Sequence, residues 1–191
     1  MAAADPKLVL ASRSPQRRAI LESLGVAFEV RPVDVVEEEE GVPVAVASEN
    51  ALRKAIAAGA GEGEIVLGVD TVVAIDLDIW GKPPNADAAA ETLRQLSGRT
   101  HTVVSGVALV RQDRDVQAAT ASTRVTFRAL DSALIDWYVA SGEWEGRAGG
   151  YAIQGRGAAL VERIEGDYLN VVGLPVATLV DLWPGLLQLS V

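Results

Sequence analysis

The chain has 191 residues, no cysteine, 17 basic against 26 acidic side chains and a formal net charge of −9. At about 150 residues per domain this is one domain, 1–191, with enough chain to bury roughly 70% of its unfolded surface without covalent staples. The missing cysteines exclude a disulfide scaffold and thiolate zinc sites. The acidic balance argues against broad nucleic-acid binding, while leaving room for one compact anion in a locally basic cleft.

In chain order, Lys7–Ala11 is a short apolar run that reads as a buried strand. Ser14-Pro15 then opens a helix, Ser14 as N-cap and Pro15 at the first helical position, and Gly25 ends it. Val26–Val33 reads as a second strand and Asp34–Glu40 as an acidic loop. Pro43 to Ala58 is a helix broken by Gly59, Gly61 and Gly63. Ile65–Gly68 and Thr71–Leu77 read as strand with Asp70 in the middle, and a helix capped by Asn85 or Asp87 runs to Leu96. His101–Val110 and Ala118–Phe127 form an antiparallel hairpin around the polar turn 111–115. Asp131 caps a helix ending near Gly142, Tyr151–Gln154 and Ala158–Ile164 are short strands, and Pro175 opens a last helix that Pro184 stops. The order implies an α/β fold with a mixed sheet flanked by helices. The apolar stretch after Met1–Pro6 is too short for a signal peptide, and no apolar run reaches the ~18 residues of a membrane helix. The expectation is a cytoplasmic protein with no membrane and no nucleic-acid partner.

Five segments can carry chemistry. The turn at Ser12-Arg13-Ser14 leads into a helix whose free N–H groups can hold a phosphate, with the hydroxyls of Ser12 and Ser14 and the charge of Arg13, Arg17 and Arg18 beside it. It lacks the glycines and the Gly-Lys-Ser/Thr ending of a Walker loop, and a plain surface helix with solvated arginines explains it as well. The chain holds three lysines, Lys7, Lys54 and Lys82, the last in a Gly-Lys-Pro-Pro turn that can offer a point charge to a phosphate chain. Asp70 interrupts an apolar strand, and an ionised carboxylate there needs a cation, donors or a proton. It reads as a metal ligand or general base, or else as a strand-end side chain facing solvent. Glu37–Glu40 could add metal oxygens or simply be a solvated loop. The glycine-dense stretch 146–157 carries Gln154, whose amide has the donor and acceptor that reading a nucleobase edge requires, although turns and bulges account for the glycines equally. The lone His101 reads as structural.

Read together, these residues resemble a known family. Ala11-Ser12-Arg13-Ser14-Pro15-Gln16-Arg17-Arg18-Ala19-Ile20-Leu21 is similar to the opening motif of the Maf family, Ala-Ser-x-Ser-Pro-Arg-Arg-x-x-Leu-Leu. Glu49-Asn50-Ala51 with Lys54-Ala55, Gly68-Val69-Asp70-Thr71-Val72-Val73, Gly81-Lys82-Pro83 and Leu96-Ser97-Gly98 with His101 follow in the family's order. So do Gly149-Gly150-Tyr151, Ile153-Gln154-Gly155 and Val171-Val172-Gly173-Leu174-Pro175.

The resemblance implies a fold like that of the inosine triphosphate pyrophosphatases, with two lobes around a central cleft, often as a homodimer. It implies hydrolysis of a nucleoside triphosphate to the monophosphate and pyrophosphate with Mg²⁺ or Mn²⁺. By the same token Asp70 is the proton acceptor, Ser12, Arg17, Lys54 and Lys82 serve the phosphates, with both lysines in the catalytic set, and Glu37 joins Asp70 at the metal. Gln16, Thr71 and Gln154 occupy the positions that separate subfamilies. The dTTP/UTP enzymes carry Arg, Thr and Gln there, and the 7-methyl-GTP enzymes a Trp in place of the Arg and an acid in place of the Gln. Thr71 and Gln154 favour dTTP/UTP, and Gln16 fits neither pattern. The competing readings are a 7-methyl-GTP or other modified-nucleotide pyrophosphatase and a non-catalytic nucleotide-binding regulator of cell division.

Overall fold

In the computed structural model, residues 6–113 and 115–189 are described. The expectations placed on Met1–Asp5, on Arg114 of the 111–115 turn and on the last two residues lie outside them. Lys7–Leu10 forms β1 and pairs in parallel with both β2 (Phe28–Val30) and β3 (Glu64–Ile75). β3 runs antiparallel to β4 (Asp78–Trp80) and to β5 (Thr100–Arg111), which continues antiparallel through β6 (Val116–Phe127) to β7 (Val161–Glu165). The seven-stranded mixed sheet has the order β2-β1-β3-β5-β6-β7, with β4 on β3. The fold class is therefore the mixed α/β sheet with flanking helices that the element order implies.

Alternation along β3 distributes the core. Ile65, Leu67 and Val69 join Leu8, Leu10, Val107 and Leu109 in one apolar cluster, covered by α1 (Pro15–Ser23) and α6 (Val176–Leu182). Val73 and Ile75 on the same face join Val103, Val125 and Phe127 in a second, covered by α3 (Ala86–Leu96) and α4 (Ser132–Val139). Between the two clusters stand the polar Thr71 and Ser105, paired in the β3–β5 register. The short α5 (Tyr168–Val172) bridges them, Val172 packing against both. Each fully buried leucine, such as Leu93 or Leu174, contributes roughly 1.5–3 kcal/mol.

The opposite face is covered by α2 (Pro43–Ala58) through Val46, Ala47, Ala51 and Ala55. The helix lies against the sheet because Gly68 and Gly106 have no side chain there. A Cβ at Gly68 would strike the Ala51 carbonyl oxygen, and one at Gly106 that of Ala47.

Several boundaries differ from expectation. Asp70 does not divide two strands; β3 is continuous across it. The second strand is only Phe28–Val30. The turn Asp76-Leu77, with Asp76 at φ 54°, returns the chain as β4, a hairpin that no Asn-Gly or Asp-Gly signal announces. Tyr151–Gln154 is not a strand; it precedes a 3₁₀ turn at Gly155–Ala159. α5 also goes unannounced, started by Asp167 Oδ1 accepting from Leu169 N at 2.8 Å. Among the described residues no helix is long and apolar enough to cross a membrane.

Candidate active site

The sheet has an opening at its centre. β1 pairs with β3 as far as Leu67 and the pairing of β3 with β4 starts at Val73, so residues 68–72 have β5 as their strand neighbour on one side only. Asp70 and Thr71 lie on that stretch and point to opposite faces.

On the α2 face, Lys54 and Asn50, one helical turn apart, both reach Asp70. Lys54 Nζ donates to Asp70 Oδ1 at 2.5 Å and Asn50 Nδ2 to Asp70 Oδ2 at 3.2 Å. The same ammonium lies 2.7 Å from Glu37 Oε1, and Glu37 Oε2 is 3.8 Å from Lys82 Nζ. Asn50 also clamps the acidic loop. Its Oδ1 accepts from Glu38 N at 2.8 Å and its Nδ2 donates to Glu38 O at 2.9 Å, which sets Glu37 over Lys54. The lysine side chains differ sharply: that of Lys54 is 11% exposed and that of Lys82, on the turn after β4, is 58% exposed. Burial works to raise the Glu37 carboxyl. The hydrogen bond and charge of Lys54, with the charges of Lys82 and Arg17, outweigh it and hold the group below its ordinary range.

On the other face, Ser14 caps α1 by accepting from Arg17 N at 3.4 Å, and its hydroxyl meets Gln16 Oε1 at 3.2 Å. That cap places Arg17 in the first turn, pointing back at the sheet. Arg17 Nη1 donates to Ser12 Oγ at 3.0 Å, Nη2 to Thr71 Oγ1 at 3.2 Å and Nε to Gly173 O at 2.9 Å. Thr71 Oγ1 is 2.8 Å from Ser105 Oγ. Burial lowers the Arg17 guanidinium, and the carboxylates of Asp70 and Glu37 work against that, so the two faces are coupled electrostatically through the opening. Three of its five N–H donors are taken, which leaves two.

The structure thus brings Ser12, Ser14, Gln16, Arg17, Glu37, Lys54, Asp70, Thr71 and Lys82 around one opening. Gln154 is exposed, and among the described residues no hydrogen bond joins it to the others. Sequence reading gave no role to Asn50, Ser105 or the Gly173 carbonyl. Asn50 was discoverable, since it lies four residues before Lys54 and so on the same helix face. Ser105 carried a weaker signal, a polar residue within the apolar alternation of β5. The Gly173 carbonyl carried none.

Among the described residues no group of three or more His, Asp or Glu could hold a metal. Glu37 and Asp70 do converge on one point, the Lys54 ammonium. Two carboxylates suit Mg²⁺, which commonly takes one or two from the protein and fills its other positions with water and phosphate oxygens.

The molecule is an α/β protein whose mixed sheet is opened at its centre, with Asp70, Glu37 and Lys54 on one face and an arginine-bearing helix start on the other. The chain belongs to the Maf-like protein family, whose sequence model matches residues 7–184. It is 49% identical over 180 residues to a protein of Moorella thermoacetica named dTTP/UTP pyrophosphatase, covering 92% of this chain and 93% of the relative. A protein of the same name from Pyrococcus furiosus is 43% identical over 179 residues, with coverage of 92% and 93%. A crystal structure of a nucleoside-triphosphatase / dITP/XTP pyrophosphatase from Mycobacterium abscessus matches at a TM-score of 0.46 and 23% identity, covering 63% of this chain and 74% of that one. Nothing about the site follows from so distant a likeness.

Proposed function

We propose that this chain, as a single Maf-like domain, hydrolyses dTTP and UTP to the nucleoside monophosphate and pyrophosphate. The observation that carries the chemistry is the buried Asp70–Lys54 pair on the open stretch of β3, beside the turn that bears Ser12 and Arg17. A site meant only to hold a triphosphate gains nothing from a carboxylate aimed at the anion. The names of relatives at 43–49% identity support the choice of base, as do Thr71 and Gln154.

In this reading the phosphates lie over the opening. Lys54, Lys82, the two remaining donors of Arg17 and the start of α1 meet their oxygens. A water oxygen attacks the α-phosphorus while Asp70 takes its proton. The bond from that phosphorus to the α,β-bridging oxygen breaks, and pyrophosphate leaves with the bonding electrons. Asp70 then returns the proton to solvent. Asn50 and Lys54 hold the Asp70 carboxylate in one orientation, which is the positioning such a step requires. Glu37 and Asp70 would hold a divalent ion, Mg²⁺ or Mn²⁺, which when bound neutralises phosphate charge.

The test is a panel of nucleoside triphosphates with Mg²⁺ or Mn²⁺, the products separated by chromatography. Pyrophosphate from dTTP and UTP, abolished by a chelator, is expected. Release of inorganic phosphate instead, or a kcat/KM for 7-methyl-GTP above those for dTTP and UTP, overturns the assignment.

A further inference from the structure

Gln154 stands at the N-cap of the 3₁₀ turn Gly155–Ala159, yet its side chain makes no capping bond. The first N–H groups of a helical turn need acceptors, and an N-cap side chain is the usual source. Here the acceptor comes from another segment. Glu143, in the turn after α4, accepts from Arg156 N at 2.9 Å and Gly157 N at 3.3 Å through Oε2, and from Arg156 N at 3.1 Å through Oε1. Gly155, at φ +67°, makes room for it, since a Cβ there would lie 2.9 Å from Glu143 Oε1. Two further ties fasten the same loop to α4. Ala152 N donates to the Tyr138 hydroxyl at 2.9 Å, and the Arg156 guanidinium lies 5.5 Å from the centre of the Trp137 ring.

We infer that Glu143 is a positioning residue for base selection. By capping the turn from outside it leaves the Gln154 amide free and fixes the backbone that carries it. The inference rests on the reading of Gln154 as the residue that meets the nucleobase. Thymine and uracil present a carbonyl where cytosine presents an amine. An amide carried on a fixed backbone discriminates wherever a mismatched edge leaves its own polar atoms unpaired. Without the carboxylate, the N–H groups of Arg156 and Gly157 become competing partners for the Gln154 carbonyl oxygen, and the amide is drawn down onto its own turn.

The experiment measures kcat and KM for dTTP, UTP and CTP, with the melting temperature, in wild type, Glu143→Ala, Glu143→Gln, Gln154→Ala and the double variant Glu143→Ala/Gln154→Ala. Glu143→Ala is expected to lower kcat/KM for dTTP and UTP about tenfold, mostly through KM, and that for CTP less than about threefold, narrowing the preference. The double variant should lie within about twofold of Gln154→Ala, because both changes remove one function. Glu143→Gln keeps one acceptor oxygen and should fall between, and it is decisive if the alanine variant does not fold. A folded Glu143 variant with the wild-type preference for dTTP over CTP, or one that loses kcat equally on all three, overturns the inference. If Gln154→Ala narrows the preference in that event, the positioning role alone has failed. If it does not, the base-reading role of Gln154 has failed with it.

Discussion

Among the described residues, two ionisable side chains of the strands are buried, and they are treated in opposite ways. Around Asp70, on the open stretch of β3, every charge has an opposite charge beside it: Lys54 between Asp70 and Glu37, and Lys82 beyond Glu37. Around His101, on β5, there is none among the described residues. Its Nε2 is 2.7 Å from the Tyr151 hydroxyl, the rings of Phe127 and Tyr151 stand edge-on at 4.9 and 5.3 Å, and its Nδ1 is buried without a partner. Burial pushes His101 down to about 4 and Tyr151 well up from its ordinary value. The difference teaches where chemistry can reside. Burial alone strips a group of its charge and makes it packing material. Burial beside fixed counter-charges preserves a field that a substrate can meet. Such a cluster is weak as a source of stability, because the desolvation of its members offsets their attraction.

Removing charge from the first region should have the largest effect. Asp70→Asn is expected to lower turnover by about 10²–10⁴, the usual range for a general base, with little change in melting temperature because Glu37 still pairs with Lys54 at 2.7 Å. Pyrophosphate release near the wild-type rate would remove Asp70 from the mechanism. Leaving a charge uncompensated comes next. Lys54→Met should destabilise the fold by about 3–5 kcal/mol in urea titration, and Lys54→Met/Asp70→Leu should recover most of that while staying inactive. A single variant as stable as wild type would show that the pair is not coupled as its geometry implies.

The second region answers to pH. Burial pushes His101 down to about 4 in the fold against its ordinary value of 6.5, so over that interval the unfolded chain binds a proton that the native one refuses. Its contribution is complete above 6.5 and is lost as the pH falls toward 4, up to about 3 kcal/mol. The double variant His101→Phe/Tyr151→Phe should flatten that part of the stability profile, and an unchanged slope would place the titration elsewhere. Glu37 adds a loss of the same sign further down. Its carboxyl is depressed, so its contribution is present above 4.5 and disappears below it. The smallest effect belongs to Lys82, exposed and loosely held. Lys82→Ala should leave stability unchanged, lower kcat/KM for the triphosphate about tenfold and weaken monophosphate binding less. Equal losses on the two ligands would place Lys82 away from the terminal phosphates.

Local chemistry made much of this visible in the chain. Ser14-Pro15 specifies a helix start, Asn85 and Asp131 cap α3 and α4, and an Asp inside an apolar β-branched run demands a partner wherever it is buried. Those signals are short in range, and the sequence carries them alone. The partner's approach is not local. Lys54 reaches Asp70 because α2 lies directly on Gly68 and Gly106 of two different strands, a distance set by three segments at once. The break between β1 and β4 that opens the sheet depends on where each strand stops pairing, and β4 is three residues on an unsignalled turn. The 151–154 segment has a strand's composition, yet it is held off the sheet by Tyr138 and, just beyond it, by Glu143, both distant in the chain. Residue types, caps and alternation were therefore determined by the sequence itself, through forces that act over a few bonds or one turn. Which charges meet, and on which side of an open strand, was decided by packing, because only the assembled sheet and helix fix distances between residues far apart in the chain.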